Sequence, residues 1–248
     1  MAAPMATKKK ATKSKAPRSE HDVADVVQML KKRASKKTKD GMARYGIPSD
    51  KAFGIPVGVL KQLAKGLGKS HTLAAALWKT GHYEARMLAT FVDEADQVTP
   101  EQMERWCKDF DNWAICDTAC FALFDRSPHA FKKIPVWAKS KDEFVKRAAF
   151  ALLASLTVHD KAAPDAAFLR CLPLVEKAAL DERNLVKKSV NWALRSIGKR
   201  NALLNRAALE VCERLAARPE APPRWVGKDA LRELKSASVL RRLRPQED

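Results

Sequence analysis

Apolar residues recur with a helical period along most of the chain, and this pattern constrains the fold more than any other feature of the sequence. Side chains three and four residues apart lie on one face of an α-helix, so each apolar stripe predicts an amphipathic helix. The first stripes consist of Val23, Val26, Val27 and Leu30, and of Val59, Leu60, Leu63, Ala64 and Leu67. The alternating runs typical of strands are absent from the sequence. The sequence therefore predicts an all-α protein.

Proline, glycine and turn-forming residues divide this pattern into segments of roughly 12 to 20 residues. After a connection between Tyr45 and Pro56, helices are predicted over residues 72–78, 82–93, 100–109, 113–124, 131–138, 144–156, 166–179, 184–197, 202–217 and 226–234. We expect one helical domain over residues 21–240 and a flexible tail over residues 241–248. Residues 1–20 predict a disordered basic tail, either a solubilising segment or an arm that adds nonspecific DNA affinity.

Short segments in which a charged residue heads a small, apolar helix face recur along the chain. The charged residues of these segments are Arg86, Asp117, Arg147, Lys188 and Lys228. Their positions are separated by 31, 30, 41 and 40 residues, which is the size of a helical-hairpin repeat of the HEAT or armadillo type. We therefore predict a right-handed α-solenoid in which these charges form a row along a concave, basic face.

The charge of the chain favours a polyanionic partner. Lysine and arginine residues number 47 against 29 aspartate and glutamate residues, which gives a net charge of +18. Such an excess is typical of proteins that bind DNA, RNA or an acidic membrane surface. No apolar run approaches the roughly 18 residues of a membrane span, and no hydrophobic stretch follows the lysines near the amino end. We expect a cytoplasmic protein that is not inserted in a membrane.

The cysteines and histidines show no metal-binding motif. The five cysteines are Cys107, Cys116, Cys120, Cys171 and Cys212. Their odd number and scattered positions, without a CxxC pair, predict reduced thiols. Cys116 and Cys120 share a helix face and are interpreted as core residues. The histidines lack the HExxH spacing and other ligand spacings, so we predict no metal site.

Trp113 and Asp117 lie four residues apart, so the indole and the carboxylate project from the same helix face. If that face is buried, the carboxylate requires a partner or a function, because an unpaired buried charge is costly. If the face lines a basic groove, one acid among many cations is better suited to chemistry on a developing positive charge than to phosphate binding. A structural ion pair between Asp117 and Arg147 of the next repeat is the alternative, and it would not preclude catalysis.

This pair belongs to a set of segments that, in their order along the chain, resemble the AlkD-type DNA alkylation repair glycosylases, which are HEAT-like repeat proteins. The segments are residues 55–65, Trp78 with residues 84–89, Trp113 with Asp117, residues 144–149 and residues 190–195. They match the family's N-terminal helix, its first repeat junction, its Trp-x-x-x-Asp pair, its active-site arginine segment and a segment with a second tryptophan. The resemblance runs from about Tyr45 to about Lys235.

The resemblance implies a monomeric glycosylase that excises N3- and N7-alkylated purines from double-stranded DNA without flipping the base. Such a protein would associate with the nucleoid when bound to DNA. The implied roles are Asp117 as catalytic carboxylate, Trp113, Trp192 and Arg147 as contacts to the lesion nucleotide, and Arg86, Lys187, Lys188 and Lys228 as contacts to the DNA backbone. Because alkylation already activates the bond, one carboxylate suffices without a metal, a cofactor or a covalent nucleophile.

Three alternatives stay open on the residues alone. The chain is compatible with a noncatalytic HEAT-repeat protein that binds damaged or branched DNA, and with a scaffold that binds other proteins. For Lys187, Lys188 and Arg195, a solvated basic face is as plausible as a phosphate site.

Four further tryptophans are interpreted as core or inter-repeat packing residues, namely Trp78, Trp106, Trp137 and Trp225.

Overall fold

A computed structural model describes residues 22–243, and these residues form fifteen α-helices, two short 3-10 turns and no β-strand. The helices are α1 (Val23–Lys31), α2 (Lys36–Met42), α3 (Val57–Leu67), α4 (His71–Lys79), α5 (Tyr83–Val92), α6 (Pro100–Lys108), α7 (Trp113–Ala122), α8 (Ala130–Trp137), α9 (Glu143–His159), α10 (Asp165–Leu169), α11 (Leu172–Ala178), α12 (Asn184–Gly198), α13 (Ala202–Ala216), α14 (Ala221–Leu234) and α15 (Ala237–Leu243). The all-α prediction is confirmed.

One row of helices runs through the molecule, with α5 against α7, α7 against α9, α9 against α12 and α12 against α14. A second set packs on this row, with α4 on α5, α8 on α9, α11 on α12 and α13 on α14. The segments that we aligned as repeats all lie in the first row, so the HEAT-like repeat prediction is confirmed. At the centre of the row, α9 is fully buried along residues 148–154. A helix that is buried on all sides is central to its domain, and its alanines allow the neighbouring helices to approach closely.

Two caps determine where the helices around the later site begin. The Asn112 side-chain oxygen accepts a hydrogen bond from the backbone N–H of Ile115 at 3.0 Å, which starts α7 at Trp113. The Asp142 carboxylate accepts hydrogen bonds from the N–H groups of Phe144 and Val145, which starts α9. Each cap satisfies N–H groups that have no partner inside the helix. As a result, Asp117 lies in the second turn of α7.

The segment before α3 is held by the buried carboxylate of Glu84 on α5. This carboxylate accepts hydrogen bonds from the N–H groups of Phe53 at 2.8 Å, Gly54 at 2.6 Å and Ile55 at 3.1 Å. Gly54 has a φ of +80°, and a Cβ there would lie 2.3 Å from the Ser35 carbonyl oxygen. Only glycine combines this positive φ with so close an approach of backbone. The carboxylate therefore fixes the start of α3 relative to α5.

The structure differs from the sequence prediction in three helical segments. Residues 166–179, predicted as one helix, form α10 and α11, because Pro173 in the first turn of α11 lacks an N–H and cannot continue a preceding helix. Helix α2, which we did not predict, begins after Ser35, whose hydroxyl caps the N–H of Thr38. Helix α15 extends through residues 241–243, which we had placed in the C-terminal tail. The predicted tail over residues 1–20 and residues 244–248 lie outside the described residues.

Three of the four tryptophans that were predicted to pack in the core or between repeats lie in the core. Trp78, Trp106 and Trp137 are buried, and the rings of Trp78 and Trp106 stack with centroids 3.9 Å apart. Trp225 is 41% exposed and does not lie in the core, so of the two predicted roles its contact is one between repeats. Its ring lies 5.1 Å from the Lys187 ammonium, so it contacts α12 through a cation at the surface instead.

Candidate nucleic-acid cleft

A cleft of about 820 Å³ lies where α3 faces α7 and the C-terminal end of α9. Its lining residues are Val57, Lys61, Ala64, Lys65, Gly68, Lys69, Phe91, Asp117, Thr118, Phe121, Ala122, Arg126, His159 and Trp192. Two of the predicted site residues, Asp117 and Trp192, are therefore brought together by the fold.

Asp117 is paired with Arg147 in a two-pronged contact between α7 and α9. The Arg147 Nε donates to Asp117 Oδ1 at 2.9 Å, and its Nη2 donates to Oδ2 at 2.6 Å. The third guanidinium nitrogen, Nη1, donates to the carbonyl oxygen of Leu185 at 2.7 Å. The Arg147 side chain is 8% exposed, whereas that of Asp117 is 19% exposed and reaches the cleft. The ion pair between Asp117 and Arg147 that was considered from sequence is present. All three guanidinium nitrogens of Arg147 donate to protein acceptors, and its predicted contact with a phosphate stays a prediction.

The environment of Asp117 acts on its protonation in two opposing ways. Burial raises the pKa of the carboxyl above its usual value, because the charged form loses hydration. The hydrogen bonds and the positive charge of Arg147 oppose this rise, since they stabilise the carboxylate. A carboxylate with Arg147 on one side thus presents its charge to the cleft with little freedom to move.

Cys116 and Cys120 lie in the interface between α7 and α9. Their thiols donate to the carbonyl oxygens of Phe144 at 3.7 Å and Ala148 at 3.5 Å. Burial raises the pKa of Cys116 well above its usual value and also raises that of Cys120, so both stay protonated near neutral pH. All five cysteines are free and buried, and the core interpretation of this pair is confirmed.

Two stacked aromatic rings form one wall of the cleft. The rings of Phe121 and Trp192 are nearly parallel, with an angle of 6° and centroids 5.0 Å apart. Trp192 was predicted as a site residue, and Phe121 was not. Its position four residues after Asp117 places both on one face of α7, and this spacing was the available signal.

Trp113 occupies a different position from the one predicted. Its indole Nε1 donates to the backbone carbonyl oxygen of Tyr45 at 2.7 Å, across 68 residues of sequence. It is half-buried and is not among the described residues that line the cleft with Trp192. The structure therefore shows Trp113 tying the segment before α3 to the start of α7, and its contact with a lesion stays a prediction.

The cations that line the cleft were not singled out from sequence. Lys61 and Lys65 are exposed on α3, and Arg126 is exposed after α7. Within residues 22–243 none of these three forms an ion pair. Lys69 has a structural role, because its Nζ donates to the carbonyl oxygens of Phe91 and Asp93 at the end of α5. The four-residue spacing of Lys61, Lys65 and Lys69 was the signal that could have identified them.

The five residues of the predicted row of charges lie on successive packed helices, α5, α7, α9, α12 and α14, and Arg86 among them is directed at protein partners. The side chain of Arg86 donates to the Asp109 carbonyl oxygen at 2.9 Å and lies over the Trp78 ring at 5.3 Å, so it is mostly buried. Buried guanidinium groups require such partners, because an unpaired one is costly. Lys188 on α12 and Lys228 on α14 are exposed, and their contact with a DNA backbone stays a prediction.

Residues 22–243 contain no helix with the length and apolarity needed to cross a membrane. No group of three or more His, Cys, Asp or Glu side chains in the same range is arranged to hold a metal ion.

Comparisons with known proteins agree with this architecture. A sequence profile of a family described as DNA alkylation repair enzyme matches residues 26–234. One similar solved structure is described as a new family of proteins related to the HEAT-like repeat DNA glycosylases with affinity for branched DNA structures. It aligns with a TM-score of 0.74 and 20% identity, over 90% of this chain and 96% of that chain. No curated protein matches the sequence.

A second solved structure is a designed armadillo repeat protein in complex with the peptide (KR)4. It aligns with a TM-score of 0.31 and 15% identity, over 89% of this chain and 92% of that chain. The first of these structures is 20% identical to this chain, and its TM-score of 0.74 shows that the two share a fold.

Proposed function

We infer that the chain, which belongs to the DNA alkylation repair enzyme family, is a DNA glycosylase that hydrolyses the N-glycosidic bond of N3- and N7-alkylated purines. The substrate is double-stranded DNA, and the base is not extruded into a pocket. One observation carries this proposal: a carboxylate, held by Arg147, lies in a cleft whose lysine and arginine residues, Lys61, Lys65, Lys69 and Arg126, are exposed.

The chemistry of the substrate explains why such a carboxylate is useful. Alkylation at N3 or N7 gives the purine a positive charge, and the base leaves as a neutral species. Positive charge then develops on the deoxyribose, which acquires oxocarbenium character in the transition state. A fixed negative charge near the sugar stabilises that state more than the ground state. Asp117 supplies this charge, and the two hydrogen bonds from Arg147 hold it in place.

The other residues of the cleft suit a DNA substrate. Lys61, Lys65 and Arg126 are unpaired with acids among the described residues and are positioned to bind phosphates. The stacked rings of Phe121 and Trp192 offer an apolar surface to a sugar or to the face of a cationic base. Selectivity would then follow from the weakened bond of the damaged nucleotide and not from a base pocket.

A second candidate function is a noncatalytic protein that binds damaged or branched DNA. The observation that favours it is the same ion pair, since both Asp117 oxygens accept hydrogen bonds from Arg147 and the pair joins α7 to α9. In that case the cations would still bind DNA, but the carboxylate would only stabilise the fold.

Release of N7-methylguanine from duplex DNA, measured at low salt under single-turnover conditions, separates the two functions. We expect base release by the wild type and a loss of about 100-fold or more in Asp117→Asn, with DNA binding retained. Asp181→Asn is a matched control, because Asp181 also accepts two hydrogen bonds from one arginine, Arg183, away from the cleft. If a folded, DNA-binding wild type releases no base, the glycosylase proposal is wrong.

A further inference from the structure

We propose that His159 is a second catalytic residue of this cleft and that its Nε2 accepts the proton of the water that attacks the sugar. This inference rests on the proposed glycosylase function and adds to it a residue that neither the family comparison nor the sequence singled out.

His159 is the last residue of α9 and lines the same cleft as Asp117. Its side chain is 37% exposed, whereas the side chain of its partner Asp125 is fully buried. His159 Nδ1 is hydrogen-bonded to Asp125 Oδ2, and the Ser155 hydroxyl donates to the same oxygen. The ring is thus anchored on its buried edge and open to the cleft on the other.

The anchor determines which ring nitrogen carries the proton. An ionised carboxylate only accepts hydrogen bonds, so the contact with Asp125 requires a proton on His159 Nδ1. In the neutral imidazole this leaves the lone pair on Nε2, at the edge of the ring away from the buried carboxylate. An Asp–His pair of this kind fixes both the tautomer and the orientation of a general base.

The position of the ring is fixed from a second direction. The Phe121 ring meets the imidazole edge-on, at 78° and with centroids 5.4 Å apart. Phe121 in turn stacks on Trp192, so the histidine continues the aromatic wall of the cleft. A base that is held by a carboxylate and an aromatic ring loses little freedom when a substrate binds, which favours proton transfer.

The hydrogen bonds of Asp117 explain why a separate proton acceptor is useful. Each of its oxygens accepts one hydrogen bond from Arg147, so its charge is available to stabilise a cationic sugar, while the guanidinium opposes the transfer of a proton to the carboxylate. In the proposed step, the water oxygen bonds to the anomeric carbon as the N-glycosidic bond breaks. The electron pair of that bond goes to the alkylated purine, which leaves neutral, and a water proton passes to His159 Nε2 and then to solvent.

A second Asp–His pair provides the control. His71 Nδ1 lies 2.7 Å from Asp93 Oδ1, the Asp93 side chain is fully buried, and the His71 side chain is 30% exposed. His71 is not among the described residues that line the cleft. If His159 served only as the partner of a buried aspartate, substitutions of His71 and His159 should have similar effects. If His159 is catalytic, only its substitution should slow base release.

The test compares His159→Asn with His71→Asn in single-turnover release of N7-methylguanine. Asparagine places an amide N–H near the position of Nδ1, so it can preserve the contact with Asp125 but offers no group in place of Nε2. We expect His159→Asn to lower the rate of base release ~100-fold while DNA affinity and thermal unfolding stay near wild type. His71→Asn is expected to keep the wild-type rate. Added imidazole is expected to restore part of the activity of His159→Ala.

The possible results separate this inference from the proposed function. If the wild type releases base and His159→Asn does so at a similar rate, the glycosylase function stands and the catalytic role of His159 is overturned. A His159→Ala rate that does not respond to imidazole overturns that role as well. If the wild type releases no base, both proposals are overturned together.

Discussion

Arg147 on α9 donates to both carboxylate oxygens of Asp117 on α7, through Nε at 2.9 Å and Nη2 at 2.6 Å. A second polar contact joins the same part of the molecule, where Ser155 and His159 of α9 meet Asp125 just after α7. Asp117 and His159 belong to different contacts but line one cleft. The polar contacts that join α7 and the turn after it to α9 therefore also position the proposed catalytic groups. We expect a substitution in one of these contacts to change the stability of the protein and its activity to different extents.

Asp117→Ala should destabilise the protein far more than Asp117→Asn. Alanine leaves the guanidinium of Arg147 buried without its charge partner, which typically costs about 3–5 kcal/mol. Asparagine retains an oxygen that accepts one hydrogen bond from Arg147, so its cost is smaller. Denaturant unfolding measures the difference, and the double variant Asp117→Leu/Arg147→Met should recover much of the lost stability. Equal stability of Asp117→Ala and the wild type would show that the pair is not coupled to the fold.

Base release should fall as the pH is lowered, with a midpoint above the usual aspartate pKa. The proposed reaction requires ionised Asp117, and burial raises the pKa of this carboxyl, so protonation begins at a higher pH than for an exposed aspartate. The measurement is a pH profile of single-turnover release, corrected for spontaneous base loss in acid. Protonation of His159 would also stop its proposed proton transfer, so the limb due to Asp117 is identified by comparing His159→Asn with the double variant Asp117→Asn/His159→Asn. The double variant should lack the limb, and an identical limb in both would assign it to another group.

The double variant Lys61→Ala/Lys65→Ala should weaken DNA binding and reduce its dependence on salt. Each lysine that contacts a phosphate contributes about one to the slope of log affinity against log salt, so the slope should fall by about two. Titrations of fluorescent duplex DNA at several salt concentrations measure it. Lys132→Ala/Lys177→Ala is the matched control, because both lysines are exposed and neither lines the cleft. Equal slopes for the two double variants would exclude α3 from the DNA contact.

Glu84→Ala should destabilise the protein and loosen the start of α3. It removes the acceptor of three backbone N–H groups, from Phe53, Gly54 and Ile55, and each buried N–H left without a partner costs about 1–3 kcal/mol. We expect a loss of at least about 3 kcal/mol in the free energy of unfolding and faster hydrogen exchange in residues 53–55. Glu182→Gln, at an exposed position, should change neither quantity.

The sequence by itself determined the all-α class and the HEAT-like repeat. Both depend on helical periodicity and on the spacing of side chains along each helix, which can be read from neighbouring positions in the chain. Asp117 and Trp192 lie on different helices, and they were assigned to one candidate site through the resemblance to AlkD-type glycosylases and not through local spacing. The pairing of Asp117 with Arg147 was also within reach, because equivalent positions of adjacent repeats meet when the repeats stack. Which cations of the predicted row face protein partners, as Arg86 and Arg147 do, could not be read from the sequence, because such contacts depend on how the helices pack.

Only the tertiary structure decided what surrounds Asp117. The distance between Trp113 and the Tyr45 carbonyl, the placement of Lys61 on the facing side of the cleft, and the contact of His159 with Asp125 all join residues from different helices or segments. Such contacts depend on the angle and separation at which helices pack, which arise from the fit of many side chains along each interface. No local pattern encodes that fit, so the groups that complete the site became visible only in the folded chain.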